Sequence, residues 1–356
     1  MRIIIFCQVS CHALAGAANH SIPCLCGLDW NWTMASMARV SLGRFLLPLF
    51  PLSTPSSRSF APCPSLCYTH LLSRGPGAPA SMSSSPLCVA DDQITRRWKP
   101  MCLYHTQGRC TMMGDASHLE KFNHDFLADL KANITTLNKL KPQNLDYLLV
   151  LDLEGKVEIL EFPVLMINAK SMDYVDSFHR FVRPTMMSEH RINEYIEGKY
   201  GKLGVDRVWH DTAIPFKDVL QEFELWMQSH QLWDKERRGL LNRAAFVTCG
   251  NWDLKTKIPE QCKILKIKTP SYFMEWINLK DVYLNFYKRR ATGMMTMLRQ
   301  LEIPSLGSHH LGIDDAKNIA RVLQRMLVDG AILQITAKRS LSSPADVKFL
   351  FKDRVR

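Results

Sequence analysis

Tyr147 to Glu154 reads Tyr-Leu-Leu-Val-Leu-Asp-Leu-Glu, an unbroken apolar run that closes on two acids. Bounded by Asp146 and Gly155, it fits a central strand covered on both faces. Side chains alternate along a strand, so Asp152 and Glu154 leave it on one face, about 6–7 Å apart. Carboxylates held that way repel unless a cation lies between them, and hard divalent ions with oxygen ligands are the common solution. A strand that has merely reached solvent is the other reading.

The following residues supply partners for that strand. Val157, Ile159 and Phe162–Ile167 predict a second strand over 156–167, in hairpin contact through Gly155-Lys156, and a third follows over Tyr174–Val182. Phe216, Val219, Leu220, Phe223 and Trp226 have helical spacing, as do Leu127, Leu130, Ile134 and Leu137 in a helix ending before Pro142. Ala244–Thr248 is a short apolar strand leading into Cys249-Gly250-Asn251-Trp252-Asp253. Asp253 is either a third acid beside the first two or a helix N-cap. Ile319, Val322, Leu323, Met326 and Leu327 form one face of a last helix, whose first turn carries Asp314 and Asp315. Acids there also suit a helix N-terminus on their own account. His310 precedes Asp315 by five residues, in the loop above that helix. These elements predict an α/β or α+β domain with a mixed sheet flanked by helices.

The charge is asymmetric. The chain has 356 residues and a net charge of +11, yet residues 1–90 contain one acid, Asp29. That stretch is rich in Ser, Ala, Pro and Leu, with Arg39, Arg44, Arg58 and Arg74, and reads as an organelle transit leader. Met34 looks like a natural start for it, and a secretory signal from Met1 is the rival. Of 11 cysteines, seven precede residue 90, so the folded part has no disulfide framework and fits an intracellular site. The basic excess points to an anionic partner, nucleic acid first, and no stretch is long and apolar enough to suggest a membrane partner.

Between leader and main domain, residues 96–126 carry Cys102, Cys110, His118 and His124, spaced C-x7-C-x7-H-x5-H. Two thiolates and two imidazoles could hold tetrahedral Zn²⁺, and a segment with so little apolar mass would need a metal to fold. His105 is an alternative ligand, and a polar linker with chance Cys and His is the bland reading. As a zinc module beside the Arg96–Lys99 run, it would position RNA and stand apart from catalysis.

Asp-x-Glu on a first strand, Asp after a later strand and His-x4-Asp at a helix start resemble the motifs of the DEDDh exonucleases, a branch of the ribonuclease H-like fold. The runs Leu160-Glu161-Phe162-Pro163, Cys249 to Lys255 and Gly312 to Arg321 resemble the enhanced-RNA-interference (ERI-like) exoribonuclease subfamily more specifically. The likeness extends from about Leu145 to Thr336, inside a domain set at 143–340 and followed by a basic tail, 341–356. The tight turn after Glu154 resembles plant-like, organellar members, and the helix pair that precedes the domain in some relatives is not evident.

The resemblance implies a two-metal 3′–5′ exoribonuclease. Asp152, Glu154, Asp253 and Asp315 would hold two Mg²⁺ or Mn²⁺, and His310 would be the general base, with its neighbour His309 dispensable. Trp252 would stack on a terminal base or belong to the core. Lys263, Lys266, Lys268, Lys288, Arg289 and Arg290 would track phosphates or be a solvated face. Partners would be RNA 3′ ends, in rRNA precursors or small RNA duplexes, with the chloroplast as the expected site and the mitochondrion or cytoplasm as alternatives. A catalytically silent RNA-binding protein and a DNA exonuclease are the competing functions.

Overall fold

The computed structural model describes residues 98–131, 140–340 and 346–355. All of them lie in one compact unit, Cys88–Arg356. The leader, most of the helix expected before Pro142 and residues 341–345 lie outside the described residues.

In chain order the elements are α1 (Ala116–Lys121), α2 (Leu127–Leu130), β1 (Tyr147–Leu151), β2 (Glu161–Asn168), β3 (Tyr174–Arg183), α3 (Glu189–Tyr200), α4 (Asp206–Thr212), β4 (Ile214–Pro215) and α5 (Phe216–Ser229). Then follow β5 (Ala244–Thr248), α6 (Ile258–Ile264), β6 (Glu275–Asn278), α7 (Leu279–Tyr287), α8 (Met294–Gln300), α9 (Gly312–Val328), β7 (Ala337–Arg339) and β8 (Val347–Phe349). The sheet runs β4-β3-β2-β1-β5-β6-β7-β8. β1 pairs antiparallel with β2, Leu151 opposite Val164, and parallel with β5, Val150 opposite Val247.

The apolar run of β1 is therefore central, and its period of two divides the core. Leu148 and Val150 pack with Ile313, Ala316, Ile319 and Ala320 of α9. Leu149 and Leu151 pack on the other face with Phe162, Phe223, Phe246 and Phe273. Asp152 and Glu154 continue the Leu148–Val150 register and emerge under the start of α9. Because β1 and β5 are parallel, their carboxyl ends open on one edge, where sheets of this kind place their ligands.

Two boundaries differ from expectation. The second strand starts at Glu161 and not at residue 156, because residues 155–160 form a loop rather than a two-residue turn. Lys257 Nζ donates to the Lys156 and Val157 carbonyls, and Gln261 Oε1 accepts from the Ile159 amide. Gly155 opens that loop at φ 126°, where a Cβ would lie 2.1 Å from the Glu158 carbonyl oxygen. The basic tail is also more than a tail, since its residues 347–349 add the eighth strand. Among the described residues no helix is long and apolar enough to cross a membrane.

Candidate functional site

Three elements bring the predicted acids together. Asp152 and Glu154 lie just past β1. Asp253 opens a π-helical turn after β5, a local form common at functional sites, and its Oδ1 accepts the Leu153 amide at 2.9 Å. Asp315 sits in the first turn of α9. Asp152, Glu154 and Asp315 can each turn an oxygen so that all three lie within 4.8 Å. Asp253 stands outside that group, yet after burial its charge is the largest influence on Asp152. Asp314 takes the structural role, accepting the Ser308 amide at 2.9 Å and pairing with Lys317 at 3.1 Å.

The helix can start this close because residue 312 is glycine: a Cβ there would come within 2.8 Å of the Asp152 carbonyl oxygen and 3.2 Å of Glu154 Cγ. His310 precedes it with φ 72°, a strained backbone for a non-glycine residue. Its amide donates to Asp315 Oδ2 at 2.8 Å. His309 is no bystander, for its Nδ1 lies 2.9 Å from the same oxygen and its ring stacks on that of His310 with centroids 3.9 Å apart. Both imidazoles are exposed.

Mutual repulsion in a poorly solvated place marks the cluster. Burial, followed by the charges of Asp253, Asp315 and Glu154, pushes Asp152 well above the ordinary carboxylate range. Burial raises Glu154 to about 7 against the opposing charge of Lys199. It raises Asp253 to about 6 against the hydrogen bond from Leu153, and Asp315 also moves up by burial. His310 moves down, by burial and then by the charge of His309. Convergent carboxylates with oxygen donors alone fit hard divalent cations. Lys199 Nζ supplies one positive charge here, 2.7 Å from Glu154 Oε2, and also donates to the His310 carbonyl at 3.1 Å.

A groove of about 820 Å³ opens beside Glu154, bordered by Lys156, Arg191, Lys199, Lys202 and Trp252 together with the two histidines. Trp252 is 45% exposed, so it belongs to the groove rather than to the core. The basic residues expected to follow phosphates, Lys263 to Arg290, do not line this groove. The α3 bases do so instead, and the sequence reading missed them because their helix was not singled out. Glu161 was also missed as a functional residue. A single acid inside Leu160-Glu161-Phe162 is the signal, since a charge in a buried strand must find partners.

The Cys/His segment converges too. Asp115 caps α1 through the Ser117 and His118 amides, which aims His118 at the cluster. Cys110 Sγ lies 3.5 Å from Nε2 of both His118 and His124, those two nitrogens are 3.2 Å apart, and Cys102 completes a group within 4.8 Å. Around tetrahedral zinc two imidazole nitrogens fall about 3.3 Å apart, and a thiolate and a nitrogen about 3.5 Å. The donor set and its spacing therefore fit Zn²⁺. His105 stays outside the group, edge-on to His124.

Residues 145–323 match the exonuclease family model of the RNase T type. The chain belongs to this exonuclease family. An uncharacterised exonuclease domain-containing protein of Arabidopsis thaliana is 62% identical over 272 residues, covering 76% of this chain and 81% of that protein. The 3′-5′ exoribonuclease 1 of Rattus norvegicus is 36% identical over 205 residues, 54% of this chain and 56% of the relative. The match thus spans little over half of that relative's length. A solved structure described as 3′-end specific recognition of a histone mRNA stem-loop by a 3′-exonuclease aligns with a TM-score of 0.50 and 29% identity, over 58% of this chain and 92% of that one. Family, fold and relatives agree with the DEDDh resemblance carried by the acids and His310, and support a hydrolytic 3′–5′ exonuclease.

Proposed function

We propose that this exonuclease removes nucleotides one at a time from RNA 3′ ends in a reaction that depends on two divalent cations. The observation that carries the reading is the convergence of Asp152 and Glu154 after β1 with Asp315 of α9, beside His310, while Asp253 after β5 holds the intervening Leu153 amide. Those acids would hold two Mg²⁺ or Mn²⁺, which when bound supply Lewis-acid charge to the attacking and leaving oxygens. His310, exposed and adjacent to Asp315, accepts the proton of the attacking water, and partial desolvation followed by the charge of His309 shifts it toward the neutral form that step needs. Trp252 offers its exposed face to the terminal base. Lys156, Arg191 and Lys202 attract the backbone phosphates along the groove.

The proposal includes a Zn²⁺ held by Cys102, Cys110, His118 and His124, supported by their 3.2 and 3.5 Å spacings. It also includes import of the chain into plastids by its acid-poor leader, with rRNA precursors or small RNAs as substrates. A fluorescent fusion of residues 34–90 that stays in the cytosol removes the targeting reading.

The functional test gives the full chain RNA and DNA of one sequence, with Mg²⁺ or EDTA. Mg²⁺-dependent loss of RNA well ahead of DNA is expected. Equal rates would make it a DNA exonuclease as well, and binding without cleavage would make it a silent RNA-binding fold.

A further inference from the structure

The Cys/His segment is not a detached module. Met101, Leu103, Phe126 and Leu130 are buried in the same core as α9. Gln107 bonds to Thr212 and Phe181, and Arg109 to the Thr212 carbonyl. One line of contacts goes farther, to the catalytic loop.

The Thr106 amide donates to the Cys102 carbonyl at 3.0 Å, closing the turn that presents Cys102 to the cluster. Thr106 Oγ1 lies 3.0 Å from the Leu103 carbonyl oxygen and 2.7 Å from His179 Nδ1, and a hydroxyl proton given to that nitrogen leaves the imidazole N–H at Nε2. His179, in β3, is wholly buried, and its Nε2 stands 3.2 Å from Glu161 Oε1. Glu161, also wholly buried, then accepts the Ile313 amide at 2.9 Å, the Gly312 amide at 3.0 Å and the Tyr200 hydroxyl at 3.1 Å. Gly312 and Ile313 are the first two residues of α9, and Asp315 and His310 flank them.

The cap of α9 is therefore supplied from elsewhere. Leu311, the residue before the helix, has no side chain that can accept a hydrogen bond, and the orphan amides of a helix start need acceptors. A serine or aspartate at 311 would meet that need locally. A carboxylate from β2 makes the position of α9 depend on whatever fixes Glu161. A buried charge holds its place only when its partners do, and His179, with Thr106 behind it, is one of them. Tyr200 is another, next to Lys199, which grips Glu154 and the His310 carbonyl.

We propose that Thr106, His179 and Glu161 form a positioning relay by which the metal-bearing Cys/His segment holds His310 and Asp315 in register with Asp152 and Glu154. The relay rests on the zinc reading above for its anchor. It reverses the expectation that this segment acts apart from catalysis: loss of the anchor slows the chemical step even on an RNA too short to reach beyond the groove. Thr106, His179 and Glu161 act through α9 and need not touch substrate.

The test uses the full chain, a short single-stranded RNA, saturating Mg²⁺ and the variants Thr106→Val, Thr106→Ser and Cys110→Ser. Zinc content, kcat, KM and amide exchange at Gly312 and Ile313 are measured for each. Thr106→Val preserves shape and ligands, so it should keep one zinc per chain and a KM within about twofold. Its kcat should fall on the order of tenfold, because small displacements of reacting groups are costly, with faster exchange at the two amides. Thr106→Ser should restore rate and exchange, and Cys110→Ser should lose zinc and reproduce the slow rate. Wild-type kcat and wild-type exchange in Thr106→Val would overturn the relay. Zinc below about 0.2 per wild-type chain would overturn the anchor alone, and amide exchange reads the relay whether or not the chosen RNA is cleaved.

Discussion

An acid cluster shaped for cations should make the cation-free fold weaker as it becomes more charged. Glu154 moves from its ordinary value of 4.5 to about 7. Its folded-state value is the higher one, so its contribution is fully present below about pH 4.5 and is lost as pH rises through 7. The loss amounts to about 3 kcal/mol, and Asp253, raised from 3.8 to about 6, adds a change of the same sign. For a domain of this size the Glu154 part alone corresponds to roughly 6–12 °C in Tm. Asp146 has the opposite sign but a separate window: Arg243 and Lys170 hold it low, so its contribution is lost only as pH falls below its ordinary value of 3.8. The assay is thermal unfolding in EDTA from pH 4.5 to 8, comparing wild type with Glu154→Gln, which cannot ionise. The two should melt together at pH 4.5, and the variant should melt higher by roughly 6–12 °C at pH 8. Mg²⁺ at a hundred times its Kd should return about 2.7 kcal/mol to the wild type at that pH. A wild-type Tm that stays level with the variant across the range would refute the electrostatic description of the site.

Asp152→Asn, Asp253→Asn and Asp315→Asn should each lower turnover by roughly two orders of magnitude or more with the fold intact, and near wild-type rates at limiting Mg²⁺ in any of them would remove that ligand. His310→Ala should lose kcat by about 10²–10⁴-fold with little change in Mn²⁺ affinity. His309→Ala should also slow the reaction, by weakening Mn²⁺ binding through Asp315, and unchanged Mn²⁺ titrations would reject that role. Trp252→Ala should raise KM for single-stranded RNA by an amount equivalent to about 1–3 kcal/mol, read from initial rates, whereas a lowered Tm with unchanged KM would return the indole to a packing role.

The central strand was legible because an eight-residue run leaves only one way to bury both of its faces, and β5 and α9 were legible from period two and period 3.6. Local pattern located Asp253 and Asp315, but only the family resemblance chose them over a cap or over Asp314, because which side a first-turn acid faces depends on how the helix lies across the sheet. Gly312 settles that angle, and its meaning needs the Asp152 carbonyl to be seen. Lys199 was illegible for a similar reason: its proximity to Glu154 depends on where α3 returns over β1, which no local pattern encodes. Glu161 did leave a trace, as the one acid in a buried strand. The two-residue hairpin failed because Lys257 and Gln261, a hundred residues later, satisfy the backbone of a wider loop.

The central claim, processive or distributive removal of nucleotides from the 3′ end by the carboxylate site, is tested most directly by label position. One single-stranded RNA is prepared with a 3′-terminal label and again with a 5′-terminal label, and each is digested by the full chain with Mg²⁺ or EDTA. The account predicts that the 3′ label leaves at once as mononucleotide, that the 5′ label passes through a descending ladder, and that EDTA stops both. Early release of the 5′ label, internal fragments, or cleavage that persists in EDTA would contradict it.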